Sequence, residues 1–388
     1  MNSGNQRNKQ HIHMAYIEAI KRTGFVLENY LAEILKKEGW TVISNKYYED
    51  DHSNTVREVD LIAYRTSKIQ HFDVYTTLII SCKKNEECSW ALLARDTNEK
   101  DPNVNWWPLH IWTNDTVLNH QISQKDASKI FHTYAKSQGV TEALNLPEFE
   151  VFAFQEVTKP SLSGKAHNVY KSSPKNDSAI FSSITSLIKA QAYELGSLSS
   201  RKKSPSVYQF NLISVAETDL LRILFKNNEI TCEEISTEHY INRYIINRQE
   251  TFSRIRFIKN DAFSQKLKDY ENLHKSNCSW LNNQCNSYYD QVFIDYRRYN
   301  VLLPMFRKEL AFFFKHIVKH EVGFSVNEND LTFTYDKENE ILQLSLYIED
   351  YQIARLNSSQ KIKDYIAMKL KAIYRYSGDF EFSNDVPF

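Results

Sequence analysis

The sequence predicts an α/β core, with a mixed central sheet and flanking helices, followed by an α+β C-terminal region. Two observations lead to this prediction. A helical pattern precedes three strand-like runs within the first hundred residues, and helical and strand-like runs alternate after them. The chain has 388 residues, whereas domains usually have ~100–200, so two or three structural units are expected.

The first predicted helix runs from Met14 to Glu38, after a polar tail of 13 residues that we expect to be frayed. Apolar residues such as Leu31 and Leu35 recur at helical spacing, and Gly39 supplies a C-terminal stop. This helix begins the α/β layer.

Three predicted strands follow the helix. They are rich in β-branched and aromatic residues and cover Trp40–Tyr48, Val56–Tyr64 and Asp73–Lys83. If the second and third strands form a hairpin, their polar residues can meet across it.

The remaining chain predicts a longer series of elements. In order they are a helix over Ser123–Ser137, a strand over Glu148–Val157, an amphipathic helix over Asp177–Leu195, a β-rich stretch over Tyr208–Ile258, a helix over Asp261–His274, an aromatic helical region over Asn286–His320 broken at Pro304, two or three strands within Val322–Leu356 with a turn at Asp336–Glu340, and a helix over Ser359–Tyr374. We divide the chain into a core at 1–204, a β-rich extension of the core at 205–275, and an α+β domain at 276–388. The last of these is a candidate for interaction or oligomerisation.

The composition limits the partners and the cellular compartment that we expect for this protein. The chain carries 48 basic and 48 acidic side chains, so any attraction to nucleic acid must be local. Five scattered cysteines without a CxxC pair favour a reducing compartment. No apolar run approaches the ~18–20 residues of a membrane span, so we expect a cytoplasmic protein without a membrane partner.

Four polar residues stand out because they interrupt apolar segments. Glu28 shares a helix face with Leu31 and Leu35, and Asp60 lies within the second strand. Ser81 and Lys83 share one face of the third strand. These residues therefore predict a polar site where the helix meets two strands.

A carboxylate beside a lysine suits phosphodiester hydrolysis. Carboxylate oxygens hold Mg²⁺, and the metal polarises the phosphate and activates water. A lysine near the metal orients that water or stabilises developing negative charge. The alternative is a structural ion pair between Asp60 and Lys83, although apolar surroundings make such a pair costly.

The order of these pieces resembles the PD-(D/E)XK, or restriction-endonuclease-like, nuclease superfamily, in a divergent bacterial S-x-K variant. The matching segments are G-F-V-L-E from Gly24, E-G-W-T-V from Glu38, R-E-V-D-L-I-A from Arg57, I-I-S-C-K-K from Ile79, and the downstream Ser89-Trp90. The resemblance covers the first hundred residues well and the chain to about residue 272 more loosely. It implies a restriction-endonuclease-like core.

The resemblance also implies the roles of individual residues. Asp60 matches the central metal ligand, Lys83 the motif lysine, and Glu28 the helix glutamate that contacts the metal or its water. The backbone carbonyl of Cys82 would be a further ligand. The implied cofactor is Mg²⁺ or Mn²⁺.

Ser81 departs from the pattern, because an acidic residue is expected two positions before the lysine. In one explanation a later helix supplies the missing acid, for which Asp96 and Glu99 are in about the right position. In the other explanation the site is degenerate and no longer cuts.

A basic segment is the candidate DNA surface. Between Thr158 and Ser204, basic residues far outnumber acidic ones, and lysines on a loop before a helix suit phosphate contacts. The alternative is a solvated surface loop. With Lys84, the candidate DNA-binding residues are Lys159, Lys165, Lys171, Lys175, Arg201, Lys202 and Lys203.

The sequence therefore predicts a Mg²⁺-dependent endonuclease acting on double-stranded DNA. By analogy it serves bacterial restriction or anti-phage defence, with protein partners in a defence complex or as a homo-oligomer. The competing hypothesis is a catalytically inactive nuclease-fold module that binds DNA or protein. A third is an RNA-directed nuclease.

Overall fold

A computed structural model describes residues 2–50, 55–162, 169–246, 249–311 and 313–384, with side chains from residue 11 onward. The chain forms two compact units. Unit 1 comprises Met1–Asn114 and Asp126–Trp280, and unit 2 comprises Asp115–Lys125 and Leu281–Phe388. Unit 1 thus contains the predicted β-rich extension and most of the predicted core, whereas Asp115–Lys125 of the predicted core belongs to unit 2.

The elements are labelled here in chain order. They are α1 (Asn2–Lys21), α2 (Phe25–Lys37), β1 (Thr41–Asp50), β2 (Thr55–Ile69), β3 (Phe72–Lys84), β4 (Cys88–Asp96), β5 (His110–Thr113), α3 (Thr116–Ile122), α4 (Ala127–Ser137), β6 (Phe149–Thr158), β7 (Ser161–Leu162), β8 (Tyr170–Lys171), β9 (Pro174–Lys175), α5 (Ser178–Arg201), β10 (Ser206–Glu217), β11 (Leu220–Lys226), β12 (Glu229–Ile235), β13 (Thr237–Ile246), β14 (Gln249–Lys259), α6 (Phe263–Asp290), α7 (Tyr296–Leu310), α8 (Phe313–Val322), β15 (Thr332–Asp336), β16 (Ile341–Leu346), α9 (Asp350–Ser358), α10 (Gln360–Tyr374) and β17 (Phe380–Asn384).

The N-terminal segment forms two helices, so the predictions of a frayed tail and of a single helix were wrong. The backbone N–H and the hydroxyl of Thr23 both donate to the carbonyl of Ile20, over 2.9 and 2.7 Å. These bonds tighten the last turn of α1 and end it. Gly24 then begins α2, whose Leu27, Leu31 and Leu35 are buried.

The central sheet of unit 1 is mixed. Its described strands follow the order β1-β2-β3-β10-β14-β13, and β5 pairs with the first part of β10. Strands β1, β2 and β3 pair antiparallel, whereas β3, β10 and β14 run parallel. Helix α5 makes the crossover that a parallel pair requires between β3 and β10.

Helices flank this sheet. Helix α2 packs against β1, β2 and β3, and α5 packs against β1, β3 and β10. Ile62 and Ile79, which are register partners on β2 and β3, join Ile184 and Leu187 of α5 in one buried cluster. The fold is therefore α/β with a central mixed sheet flanked by helices, as the sequence predicted.

A second sheet of unit 1 has the order β12-β11-β4-β6-β9 among the described strands. Its strand β4 was not predicted. Trp90 of β4 is fully buried, and its ring meets that of Phe257 edge to face at 6.0 Å. The apolar run from Trp90 to Ala94 is buried or half-buried because β6 and β11 pair on either side of it.

Unit 2 packs helices on a sheet of order β15-β16-β17. Its buried cluster is aromatic: the ring centroid of Phe306 lies 5.3 Å from that of Phe333 and 5.5 Å from that of Tyr374. The predicted break at Pro304 was wrong, because Pro304 lies inside α7. The third strand of this sheet, β17, lies after the region in which strands were predicted. Asp350–Ser358, which falls within that region, is helical.

The other predicted elements were confirmed with shifted ends. The three N-terminal strands correspond to β1, β2 and β3, and the later strand, helices and β-rich stretch correspond to β6, α4, α5, α6, α10 and β10–β14. Within the described residues, no helix is long and apolar enough to cross a membrane.

Candidate active site

Asp60 lies where the pairing of β2 with β3 ends. The antiparallel register runs from Ile69↔Phe72 to Leu61↔Ile80 and stops there. Beyond that point the backbone N–H of Cys82 donates to Asp60 Oδ2 over 2.6 Å, and the Ser81 hydroxyl lies 3.3 Å from the same oxygen. The carboxylate thus takes the place of a backbone carbonyl as the acceptor of the Cys82 N–H. It is held at the split between the strands, which is the point where β2 and β3 stop pairing.

Asn45 marks an irregularity in β1 beside Asp60. The register passes from Ser44↔Leu61 to Lys46↔Val59, so Asn45 and Asp60 stand between two paired positions. Asn45 adopts the left-handed conformation, with φ of 53°. Asparagine tolerates this conformation better than most residues. The register with β2 is the same on both sides of Asn45, so β1 keeps its alternation of faces and Asn45 stands opposite Asp60.

Glu28 of α2 shares the charged environment of Asp60. Its pKa is raised first by burial and then by the negative charges of Asp60 and Glu58. The Lys83 ammonium and a hydrogen bond from the Asn45 side chain lower the pKa. These groups therefore lie within electrostatic reach of Glu28, as the sequence predicted for Asp60 and Lys83.

Cys82 lies among the same charges. Burial raises the pKa of its thiol, the carboxylates of Asp60 and Glu28 raise it further, and Lys83 lowers it. The thiol is therefore held in its neutral form, which is a poor nucleophile. No ion pair of Lys83 occurs among the described residues, so its half-buried ammonium is not committed to one carboxylate.

Glu58 is a site residue that the sequence reasoning missed. It stands two positions before Asp60 on β2, and its carboxylate contributes to the raised pKa of Glu28. The signal was present in R-E-V-D-L, where period-two spacing puts Glu58 and Asp60 near one another. Asn45 was missed too, because one residue in the left-handed conformation leaves no clear mark in a strand-like run.

Asp96 and Glu99 do not join this group. Asp96 ends β4, about 26 Å along the strand from Cys88, and its carboxylate pairs with Lys226 at 2.9 Å. Glu99 follows β4 in a loop and lines a surface pocket with Trp106. The helix expected to carry a missing acid is instead a strand end and a loop. The apolar run before Asp96 is buried in a sheet, which leads these residues away from the β3 terminus.

Oxygen ligands at the site are few. Among the described residues, no three His, Cys, Asp or Glu side chains are grouped to hold a metal ion. The available donors are the carboxylates of Glu28, Glu58 and Asp60, with Ser81 in place of an expected acid.

The predicted basic surface is divided between two regions. Lys171 and Lys175 are exposed on β8 and β9, before α5, and Lys165 lies outside the described residues. Arg201 lies at the other end of α5, about 36 Å along the helix axis, with Lys202 and Lys203 directly after it. One short basic loop therefore does not bring these residues together.

Several of these cations already have partners. Lys159 lies 4.0 Å from Asp219, and Arg201 binds Glu194 at 2.7 Å. Lys202 donates to the hydroxyl of Tyr75 over 3.0 Å. Lys203 is exposed, so it remains open to solvent.

Lys84 connects β3 to α1. Its ammonium donates to the carbonyl of Lys21 over 2.8 Å and pairs with Glu86 at 3.1 Å and Glu217 at 3.5 Å. Its side chain is only 13% exposed. These contacts give Lys84 a structural role and leave little of its side chain exposed for contact with DNA.

Comparison of the chain with protein-family models, curated proteins and solved structures found no match.

Proposed function

We propose that this protein hydrolyses phosphodiester bonds in double-stranded DNA with the help of a divalent metal ion. The observation that carries the proposal is the place where β2 and β3 stop pairing, because Asp60 accepts the Cys82 N–H there and the charges of Asp60 and Lys83 both act on Glu28. Two acidic groups and a lysine that has no ion-pair partner within the described part of the chain suit this chemistry.

The donor chemistry fits a hard cation. Burial first, and then the negative charges of Asp60 and Glu58, raise the pKa of Glu28, and a bound cation would offset the charge contribution. Carboxylate and carbonyl oxygens are the ligands that Mg²⁺ prefers. We assign Glu28, Asp60 and the backbone carbonyl of Cys82 as the ligands. The ion, Mg²⁺ or Mn²⁺, would polarise the phosphate and lower the pKa of bound water.

The residues of the chain have separate roles in this proposal. The Cys82 N–H fixes one oxygen of Asp60, which leaves its other oxygen available to bind the ion. Lys83 orients the attacking water and offsets negative charge on the scissile phosphate. The Ser81 hydroxyl supports Asp60 but carries no charge.

Under this proposal, the mixed sheet and its flanking helices form a restriction-endonuclease-like core. The motifs around Glu28, Asp60 and Lys83 support this assignment, because Asp60 and Lys83 both lie within electrostatic reach of Glu28. The expected product then carries a 5′ phosphate. A role in restriction or anti-phage defence, with protein partners or as a homo-oligomer, stays a prediction of the resemblance.

A plasmid-cleavage assay tests the proposal. Wild-type protein with Mg²⁺ or Mn²⁺ should relax or linearise supercoiled DNA, and Asp60→Asn should slow this by about 10²-fold or more. Asp73→Asn is the matched control, because Asp73 lies at the far end of the β2–β3 pair and contacts Lys68 at 3.5 Å. Equal cleavage by Asp60→Asn and wild type would contradict the assignment. Faster cleavage of RNA in a competition experiment would reassign the substrate.

The second candidate is an inactive nuclease-fold module that binds DNA or protein. Ser81 favours it, because a serine does not replace the charge of the expected carboxylate. DNA binding without cleavage under any metal or oligomeric condition would support this candidate over the nuclease.

A further inference from the structure

A cavity of ≈ 370 Å³ opens beside the sheet of unit 1, at the C-terminal end of α5. Its walls come from β1, β2, β3, β10 and α5. This volume lies in the range of about 300–1,000 Å³ that is usual for small-molecule sites. Its location is separate from the split between β2 and β3 where Asp60 lies.

The aromatic wall of the cavity is a stacked pair of tyrosines. Tyr75 and Tyr208 are register partners on the parallel strands β3 and β10. Their ring centroids are 4.1 Å apart and their planes differ by 4°. Because the two rings lie face to face, the pair offers ring edges to the cavity, and a planar ring can pack against them in the edge-to-face arrangement that aromatic groups favour.

Cations line the same cavity. Lys202 lies 4.5 Å from the ring centroid of Tyr75 and donates to its hydroxyl. Among the described residues, no carboxylate forms an ion pair with Lys202. Burial raises the pKa of Tyr208 to about 12, with a smaller opposing contribution from Lys202, so Tyr208 stays neutral at pH 7 and does not offset the ammonium charge.

Glu194 holds the two other cations. It binds Lys46 at 2.5 Å and Arg201 at 2.7 Å. Three positive groups therefore face one carboxylate, and the cavity carries an excess of two positive charges. The Arg201 side chain is 41% exposed against 9% for Glu194, so Arg201 lies nearer the opening. A ligand bound here should carry negative charge at the Arg201 and Lys202 side.

We propose that this cavity binds a single nucleoside phosphate, with its base against the Tyr75–Tyr208 pair and its phosphate at Arg201 and Lys202. A planar base matches the tyrosines, and a phosphate matches the excess positive charge. The Glu194 carboxylate can accept hydrogen bonds from ribose hydroxyls. Arg201 and Lys202 thereby serve this cavity and not a duplex surface.

The cavity also shares strands with the candidate active site. Lys46 follows Asn45, and Ile62 lies two residues after Asp60.

Isothermal titration calorimetry on the full chain tests the proposal with AMP, GMP, CMP and UMP, and with adenosine and inorganic phosphate as partial probes. We expect at least one nucleotide to bind with a dissociation constant below about 1 mM, and about tenfold more tightly than either partial probe. Lys202→Ala and Arg201→Ala should each weaken this binding about tenfold. Lys203→Ala is the matched control, because Lys203 is exposed and directly follows Lys202.

Three results would overturn the proposal. They are failure of all four nucleotides to bind, equal affinity of the Lys202→Ala and Lys203→Ala proteins, and binding of a single-stranded oligonucleotide without any mononucleotide. Should Lys202→Ala fail to fold by circular dichroism, Lys202→Met keeps the aliphatic contact with the rings and replaces it. The Asp60→Asn protein should bind the nucleotide as wild type does, so loss of cleavage and loss of this site are distinguishable.

Discussion

The backbone N–H of Cys82 donates to Asp60 Oδ2 over 2.6 Å, at the point where β2 and β3 have stopped pairing. A side chain thus takes the place of a strand partner. One carboxylate oxygen is fixed, and the strand end opens beside Glu28 and Lys83.

Glu28→Gln should stabilise the fold at pH 7. The raised pKa means that the folded state binds the Glu28 proton more tightly, so ionised Glu28 costs stability as pH rises above its ordinary pKa of 4.5. The variant should melt at higher temperature than wild type at pH 7 and at the same temperature near pH 4. Glu33→Gln, at an exposed position on the same helix, should alter melting little at either pH. A Glu28→Gln protein less stable than wild type at pH 7 would contradict this account.

Asn45→Gly and Asn45→Ala should differ in stability. Glycine adopts the positive φ of this position freely, whereas alanine should lower the free energy of unfolding by about 1 kcal/mol relative to glycine. Urea denaturation measures the difference. Both variants lose the hydrogen bond to Glu28, so the acidic limb of the cleavage profile should move to higher pH. Equal stability of the two variants would argue against the left-handed conformation at Asn45.

Glu58→Gln should weaken the binding of Mg²⁺, whereas Asp96→Asn should not. Glu58 contributes charge at Glu28, whereas Asp96 forms a solvent-exposed pair with Lys226. We expect the Mg²⁺ concentration for half-maximal cleavage to rise about tenfold in Glu58→Gln. In Asp96→Asn it should equal the wild-type value. The reverse pattern would restore Asp96 as the missing acid.

Phe306→Ala should destabilise unit 2. Phe306 is fully buried between Phe333 and Tyr374, and its removal leaves a cavity, so the free energy of unfolding should fall by about 3–5 kcal/mol. Phe313→Ala is the control, because Phe313 is exposed and should cost below about 1 kcal/mol. Chemical denaturation followed by circular dichroism separates the two.

The sequence predicted well those elements whose burial pattern is local. Strands β1, β2 and β3 and helix α5 follow from the spacing of their apolar residues. Strand β4 was missed because the run from Trp90 to Ala94 contains residues that also favour helices, and only its partners β6 and β11 decide its state.

The site was predicted in part for the same reason. Glu28, Asp60 and Lys83 stand out because each polar group interrupts an apolar segment. Asn45 did not, because its left-handed backbone conformation leaves no mark in the pattern of residues along β1. The basic residues near α5 were predicted to form one surface, but they lie at opposite ends of this helix of 24 residues.

Single-turnover cleavage of a labelled DNA duplex by the Lys83→Ala and Lys68→Ala proteins tests the central claim most directly. Lys83 lies within electrostatic reach of Glu28, whereas Lys68 is 61% exposed at the far end of β2. In saturating Mg²⁺ or Mn²⁺, Lys83→Ala should lower the cleavage rate by about 10²-fold or more, with the Lys68→Ala rate unchanged. Equal rates in the two variants would show that the lysine at the strand split takes no part in hydrolysis and would contradict the account.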